Sequence, residues 1–336
     1  MKGEVKDVLV SVVMITYGHE KYIKEAINGV LMQECDFQYE LIIANDCSPD
    51  DTDKIVRKII DNTEKANRIR YVRHTVNKGI NANFHWALQQ VRGKYIATCE
   101  GDDYWTDPFK LQKQVNFLEK YNDVGLCYTD FNALDTINKL THNSVFKNSI
   151  EPFYQSKSFE DHLLHKGYIA PMTWVFRKDL LKYFPGENFT DGSFAIALDV
   201  FKNSKITFLP EVTAVYRMHL GSVSRPETIE QAYKQWKGVF DVQLHYIKKY
   251  NVEELLELKI KLSSYIELLP LSIQLNDNEF IAKSVGDLNS LGINIEPLLD
   301  MAFNSIKISR SRAYRLGKTM LRPLSYIKSM IKKIIR

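Results

Sequence analysis

Across its first 130 residues the chain alternates short β-branched runs with longer amphipathic stretches, and that alternation restricts it to a sheet built from β-α units. Val8 to Thr16 predicts a strand, Glu20 to Gln33 a helix, Tyr39 to Asn45 a strand, Asp53 to Asn62 a helix, Ile69 to His74 a strand and Asn81 to Val91 a helix. Lys94 to Cys99 predicts the next strand, Pro108 to Tyr121 a helix capped by Thr106 or Asp107, and Gly125 to Thr129 a further strand. The expectation is an α/β fold, a mostly parallel sheet flanked by helices on both faces. In such a sheet ligands bind beyond the carboxyl ends of the strands, where the loops converge.

All four of the first strand ends are polar: Thr16-Tyr17-Gly18, Asn45-Asp46-Cys47-Ser48, Asn77-Lys78-Gly79 and Glu100-Gly101-Asp102-Asp103. Neither GxGxxG nor GxxxxGK[ST] follows the first strand, which argues against a dinucleotide-binding domain and a P-loop enzyme. The fourth end places three carboxylates within four residues. Like charges so close repel unless the loop is solvated or a cation sits among them. A hard divalent ion, Mn²⁺ or Mg²⁺, is the natural partner, because it completes a small carboxylate set with water and phosphate oxygens.

From 131 to about 157 the pattern is weak and polar and predicts a loop. A short helix then runs from Ser158 to His165, followed by a strand from Thr173 to Phe176, a helix from Lys178, another from Phe194 to Asn203, and strands from Lys205 to Leu209 and Val212 to Met218. Beyond Pro226 the period is helical through about Ala313. The four cysteines, Cys35, Cys47, Cys99 and Cys127, form no CxxC pair and no zinc-like spacing, which suits buried packing in a reducing compartment. The apolar run Val8 to Thr16 is too short for a membrane span or a cleaved signal, so a cytoplasmic location is expected.

The run GDDYWTDPFKLQKQVNFLE, preceded by VSVVMITYGHEKYIKEAI, by ELIIANDCSPDDT and by VNKGINANFHWAL, resembles the family 2 glycosyltransferases of GT-A fold in order and spacing, over residues 8 to about 225. The resemblance implies a GT-A catalytic domain at 1–225, with a nucleotide-sugar half at 1–130 and an acceptor and base half at 131–225. A helical accessory region at 226–313 and a basic amphipathic tail at 314–336 would follow. It implies a donor site of Thr16 and Tyr17 near the base, Asp46 accepting from the uracil imide, and Asn77, Lys78 and Gly79 along the ribose and diphosphate. The alternative for Asp46 is a helix-capping or turn residue. The family's DxD element falls on Glu100, Asp102 and Asp103, with Glu in place of the first Asp, and Asp102 and Asp103 are the metal and ribose candidates. Asp191, opening the helix after Asn-Phe-Thr, matches the family's catalytic base, although helix capping alone would also place it there. Val215-Tyr216-Arg217-Met218-His219 resembles the closing Tyr-Arg-x-His, so Arg217 or His219 would meet the diphosphate or the metal. Trp105 and Trp174 are candidate walls for a sugar ring on the acceptor side, with Trp174 equally suited to the core.

The implied reaction is inverting transfer of a single hexosyl or N-acetylhexosaminyl group from a nucleoside-diphosphate donor, UDP favoured at Asp46, to a hydroxyl acceptor. No QxxRW motif is present, unlike in the processive synthases of the family. The net charge of +4 conceals an uneven spread: residues 301–336 carry ten Lys or Arg and no acid, leaving 35 basic against 41 acidic residues elsewhere. Within the tail, Leu324, Ile327, Met330, Ile331, Ile334 and Ile335 share a helical stripe, with Lys328, Lys332, Lys333 and Arg336 largely outside it. Such a helix fits an anionic membrane surface, and with it a lipid-linked or glycan acceptor at the inner face of the membrane. The alternative is a helix docked on its own domain with solvated lysines. No aromatic interleaving accompanies the basic residues, so nucleic acid is not an expected partner. The helices after Pro226 are expected to serve support, acceptor binding or a homo-oligomer interface. The rival readings are a nucleotidyltransferase, whose glycine-rich basic loop Tyr17-Gly18-His19-Glu20 does not supply, and a non-catalytic sugar- or nucleotide-binding module derived from a transferase.

Overall fold

The computed structural model describes residues 7–150, 155–184, 189, 191–219 and 226–290. The chain divides into two compact units, Met1–Arg225 and Pro226–Arg336. In the first, the elements run β1 (Val8–Thr16), α1 (Ile23–Leu31), β2 (Gln38–Asn45), α2 (Thr52–Asn62), β3 (Ile69–Arg73), α3 (Ile80–Gln89), β4 (Tyr95–Thr98), β5 (Tyr104–Trp105), α4 (Lys110–Lys120), β6 (Val124–Asp135), β7 (Leu140–His142), α5 (Phe159–His165), β8 (Val175–Arg177), α6 (Gly192–Asn203) and β9 (Lys205–Met218). One sheet takes them all in the order β3-β2-β1-β4-β8-β6-β9-β5, with β7 beside β6.

The parallel arrangement expected from the sequence holds for β3, β2, β1 and β4. β1 shows why: Val10, Val12, Val13 and Met14 are all buried, so both faces of this strand are covered, as parallel strands require. α1 buries Ile23, Ala26, Ile27, Val30 and Leu31, a one-sided helical stripe. Beyond β4 the sheet is mixed, because β8 pairs antiparallel with both β4 and β6, β5 pairs antiparallel with β9, and β6 and β9 run parallel side by side.

Several local expectations are corrected here. Gly125 to Thr129 is only the start of β6, which continues through the supposed loop to Asp135 and turns back into β7. Polar residues hid it: Asp130 is buried and its carboxylate accepts from the backbone of Phe146 at 2.9 Å and Lys147 at 3.2 Å, so the polarity belongs to an internal turn clamp. The two strands expected at Lys205 to Leu209 and Val212 to Met218 are one, β9, carried past Pro210 by a register shift in which Leu209 faces Thr129 and Val212 faces Asp130. Thr173 belongs to a 3₁₀ turn at Pro171–Thr173, and the helix expected from Lys178 is 3₁₀ at Lys178–Tyr183. Neither Thr106 nor Asp107 caps α4: its N-cap is Phe109, without a side-chain cap, and Asp107 instead forms the turn before it, accepting from Phe109 N at 2.8 Å.

The second unit carries three described helices, α7 (Ile229–Tyr250), α8 (Glu254–Leu275) and α9 (Asn278–Ser290). α7 begins with a capping box of Thr228 and Gln231. Its residue Tyr233 donates to Asp277 at 2.6 Å, ahead of α9, and the Tyr265 hydroxyl of α8 bonds Asp287 of α9. The expected basic tail lies outside the described residues.

Candidate functional site

Because β1, β2 and β4 are parallel, their carboxyl ends meet at one edge of the sheet, and β9, antiparallel to β5, delivers Arg217 and His219 beside the loop between β4 and β5. That loop, Glu100 to Asp103, is held tightly. Gly101 N bonds Ile15 O at 3.0 Å, and a Cβ on Gly101 would lie 2.6 Å from Thr16 Oγ1 and 2.8 Å from His19 Nδ1. A glycine is therefore demanded by close approach rather than by backbone angle.

Asp102 lies between two imidazoles. Its Oδ2 is 3.1 Å from His219 Nε2 and 3.8 Å from His19 Nε2, while the far nitrogen of His19 is 3.1 Å from Thr16 Oγ1. Burial drives its carboxyl up, but the charge of His19 and the hydrogen bond from His219 outweigh it and hold Asp102 below the ordinary aspartate value. Glu100 has no such partner: its Oε2 is buried without a hydrogen bond, and burial, then the charge of Asp102, push it up to about 7. Asp103 is raised well above its ordinary value by burial and then by Asp102 and Glu100, although Oδ1 accepts from Arg217 N at 2.8 Å. Three carboxylates share one buried loop and one of them carries most of the charge.

Among the described residues no group of three or more His, Cys, Asp or Glu side chains is arranged to hold a metal ion unaided. The residues nevertheless fit a divalent ion that takes the rest of its shell from phosphate and water. Asp102 Oδ2 and His219 Nε2, 3.1 Å apart, match two neighbouring ligands of a small octahedral cation, which stand about 3 Å apart. The orphaned Glu100 oxygen is a second sign that the loop lacks positive charge.

The nucleotide-side candidates gather at the same edge. Tyr17 is 49% exposed just past β1, on the rim rather than in the core. Asp46 is buried, and its Oδ1 accepts from Lys78 N at 2.7 Å and its Oδ2 from Gly79 N at 2.9 Å, so this carboxylate shapes the loop before α3. Asn77 Oδ1 also accepts from Gly79 N, at 3.0 Å, and Gly79 takes φ +85°, which favours glycine. The residue after Asp46, Cys47, is itself held at φ 61°, a strained conformation for a side-chain-bearing residue. Asp191 sits at the N-cap of α6, its Oδ1 accepting from Phe194 N at 3.0 Å and from Ser193 Oγ at 2.8 Å.

Two expectations, for Trp105 and Arg217, are overturned, and Trp174 takes the core position that was its other reading. Trp105 and Trp174 are 2% and 1% exposed, with their indole N–H groups donating to Met172 O at 2.7 Å and Ile169 O at 2.8 Å, so both are core residues that cannot form a sugar wall. Arg217 is buried too. Its guanidinium donates to Asp102 O at 2.6 Å, pairs with Glu25 and stacks 4.3 Å above Tyr104, making it a strut beneath the carboxylate loop instead of a contact in the cleft.

Two residues at the site were not anticipated. His19 lies three residues past the strand end, and only the strand-end rule pointed to it. Tyr168 is linked electrostatically to both halves: burial first, then Tyr216, Asp103, Glu100 and Asp191, raise its hydroxyl well above the ordinary value.

Comparison with known proteins agrees with this geometry. The profile described as Glycosyl transferase family 2 matches residues 11–184, more than half of the chain. An uncharacterized protein of Mycobacterium tuberculosis is 31% identical over 210 residues, 62% of this chain and 58% of that protein, so the chain spans less than two thirds of that relative's length. The UDP-Glc:alpha-D-GlcNAc-diphosphoundecaprenol beta-1,3-glucosyltransferase WfgD of Escherichia coli is 25% identical over 254 residues, 73% of this chain and 93% of that one. In three dimensions, the mannosyltransferase PcManGT of Pyrobaculum calidifontis, solved with GDP-Man and Mn²⁺, superposes with a TM-score of 0.55 at 15% identity, covering 93% of this chain and 83% of that one. At that identity the likeness is one of fold, and the fold is GT-A. On the strand-end architecture and the profile match together, the chain belongs to glycosyl transferase family 2.

Proposed function

We propose that this protein transfers a single hexosyl or N-acetylhexosaminyl group from a nucleoside-diphosphate sugar, UDP ahead of GDP, to a hydroxyl acceptor with inversion. The observation that carries the reading is the pairing of Asp102 with His219 beside an unpartnered Glu100 oxygen, at the edge where the strand-end loops meet. Asp102 and His219 would hold Mn²⁺ or Mg²⁺, which when bound neutralises charge on the leaving diphosphate. Asp103, engaged by Arg217 N, is assigned to the ribose side rather than to the metal. Thr16, Tyr17, Asp46, Asn77, Lys78 and Gly79 would bound the nucleotide.

Asp191 is assigned as the base. Its Oδ1 is fixed by Phe194 N and Ser193 Oγ, which leaves Oδ2 to take the acceptor proton as the acceptor oxygen attacks the anomeric carbon and the bond to the diphosphate oxygen breaks. Attack from the face opposite the leaving group converts an α-linked donor into a β-linked product.

The acceptor is proposed to be a lipid-linked or cell-surface glycan precursor at the inner face of the membrane. Two facts support it: the cationic composition of residues 301–336, and the diphosphoundecaprenol substrate in the name of the Escherichia coli relative. Among the described residues no helix is long and apolar enough to cross a membrane. The helices beyond Pro226 are proposed to support acceptor binding or self-association.

The test is release of nucleoside diphosphate from a panel of nucleotide sugars, with Mn²⁺, Mg²⁺ or chelator, for the natural protein and Asp102→Asn. Metal-dependent release from one donor, lost in the variant, is the expected result. No release together with no nucleotide binding by calorimetry would replace this reading with that of a non-catalytic binding module.

A further inference from the structure

We propose that Asn81 is a positioning residue that couples the donor-side loop Asn77–Gly79 to the carboxylate of Asp191; the proposal rests on the assignment of Asp191 as the base. Asn81 lies in the first turn of α3, two residues past Gly79. Its side-chain amide N–H donates to Phe189 O, and its Oδ1 accepts from Gly192 N at 3.2 Å. Both ends of one planar amide are thus spent on the two sides of Asp191, more than a hundred residues away in sequence.

The link is stiff at each joint. Upstream, Asp46 holds Lys78 N and Gly79 N, and Asn83 ties the same turn to the sheet through its N–H to Gly79 O at 3.0 Å and its side chain to Ala44 O at 2.9 Å. Downstream, Asp191 Oδ1 accepts from Phe194 N and Ser193 Oγ in the first turn of α6, so the carboxylate turns with the helix end that Asn81 grips. Gly192 is suited to this grip, since a Cβ there would come 3.2 Å from Asn81 Oδ1 and crowd it. A nucleotide that settles on residues 77–79 therefore acts on a hydrogen-bonded path that ends at the base, through one side chain that touches neither donor nor acceptor in this assignment. No feature of helical period marks Asn81, because its role depends on a partner segment that only the fold brings near.

The test uses the full chain with UDP–Mn²⁺ and GDP–Mn²⁺ as probes, and compares Asn81→Ala with Asn81→Asp, which keeps an acceptor for Gly192 N but loses the donor to Phe189 O. Three quantities are read: nucleotide affinity by calorimetry, hydrogen exchange of the amides of residues 192–195 with and without nucleotide, and turnover of UDP-glucose and GDP-mannose. In the natural protein nucleotide slows exchange at 192–195. In Asn81→Ala nucleotide affinity stays within about threefold while that slowing disappears, and turnover falls about 10- to 100-fold at nearly unchanged donor KM. Asn81→Asp falls between. If Asn81→Ala does not fold, the aspartate variant decides by the same criterion. Undiminished nucleotide-dependent slowing in the variant overturns the coupling. Full turnover in Asp191→Asn instead overturns the base assignment, an outcome the exchange data distinguish from failure of the Asn81 link.

Discussion

His19 and Gly101 form a small wall behind Asp102, and each makes a measurable difference. With its Nδ1 on Thr16 and its Nε2 facing Asp102, His19 keeps that carboxylate turned toward His219. Replacement by Ala is expected to weaken Mn²⁺ affinity about 10- to 100-fold, as loss of an orienting partner of a metal ligand does. Titration followed by electron paramagnetic resonance measures this on the full chain, and an unchanged affinity would remove His19 from the site. Gly101→Ala drives a methyl into Thr16 and His19, whose nearest atoms lie 2.6 and 2.8 Å from the new carbon. Overpacking of this kind costs about 1–3 kcal/mol, so the melting temperature should fall by several degrees, and calorimetry of the variant that showed no fall would mean the loop can shift freely. The positions of the carboxylate loop and Asp46 at strand ends, of Asp191 at the start of α6 and of His219 after β9 were legible because strand ends and motif spacing mark them. Trp105 was misread, and Trp174 left open between wall and core, because an aromatic near such a motif packs inward or outward with the same local sequence. The indole partner of Trp105, Met172 O, is distant in the chain, whereas that of Trp174, Ile169 O, lies only a few residues before it.

At the scale of elements, the parallel half of the sheet was readable from continuous apolar runs, whereas β6 and β9 were fragmented on paper by Asp130, Asn132 and Pro210. Those residues are paid for by contacts formed only after folding: Asp130 by backbone amides, Asn132 by Ser144 N at 3.0 Å, and Pro210 by a register shift. The same limitation hid His162 of α5. It is 1% exposed between Phe194 and Phe201 of α6, with Nδ1 2.9 Å from Ser156 Oγ and Nε2 without a partner among the described residues. Burial pulls its imidazole down from 6.5 to about 3, against a smaller upward pull from Asp161. The folded chain therefore keeps it neutral while the unfolded chain protonates it below pH 6.5, so stability drains away as the pH falls from 6.5 toward 3. At pH 5 the loss attributable to this one group is about 2 kcal/mol. His162→Leu should flatten that acid limb; urea unfolding at pH 7 and pH 5 would show the difference, and equal acid losses in both proteins would assign the limb elsewhere.

On the proposed reading, the whole molecule separates chemistry from address. All the residues assigned to donor, metal and base fall within Met1–Arg225, while the charge imbalance lies at the other end of the chain, with ten cations and no acid in residues 301–336. Cations near an anionic bilayer contribute on the order of 1 kcal/mol each, and salt screens them over about 10 Å at 0.1 M. If the tail is the address, binding to phosphatidylglycerol-rich vesicles should be strong at low salt and fall steeply as salt rises. Vesicles of phosphatidylcholine alone should bind far less. A chain ending at Ser309 keeps only Lys307 of the ten cations, so it should stay in the supernatant when anionic vesicles are sedimented. Its calorimetric affinity for the nucleotide identified in the donor panel should be unchanged, because no donor residue has been removed. Full vesicle binding by the shortened chain would move the address to the Pro226–Ser290 helices or the catalytic unit. Loss of nucleotide affinity would show instead that the tail belongs to the working site, the docked-helix alternative that its apolar stripe also allows.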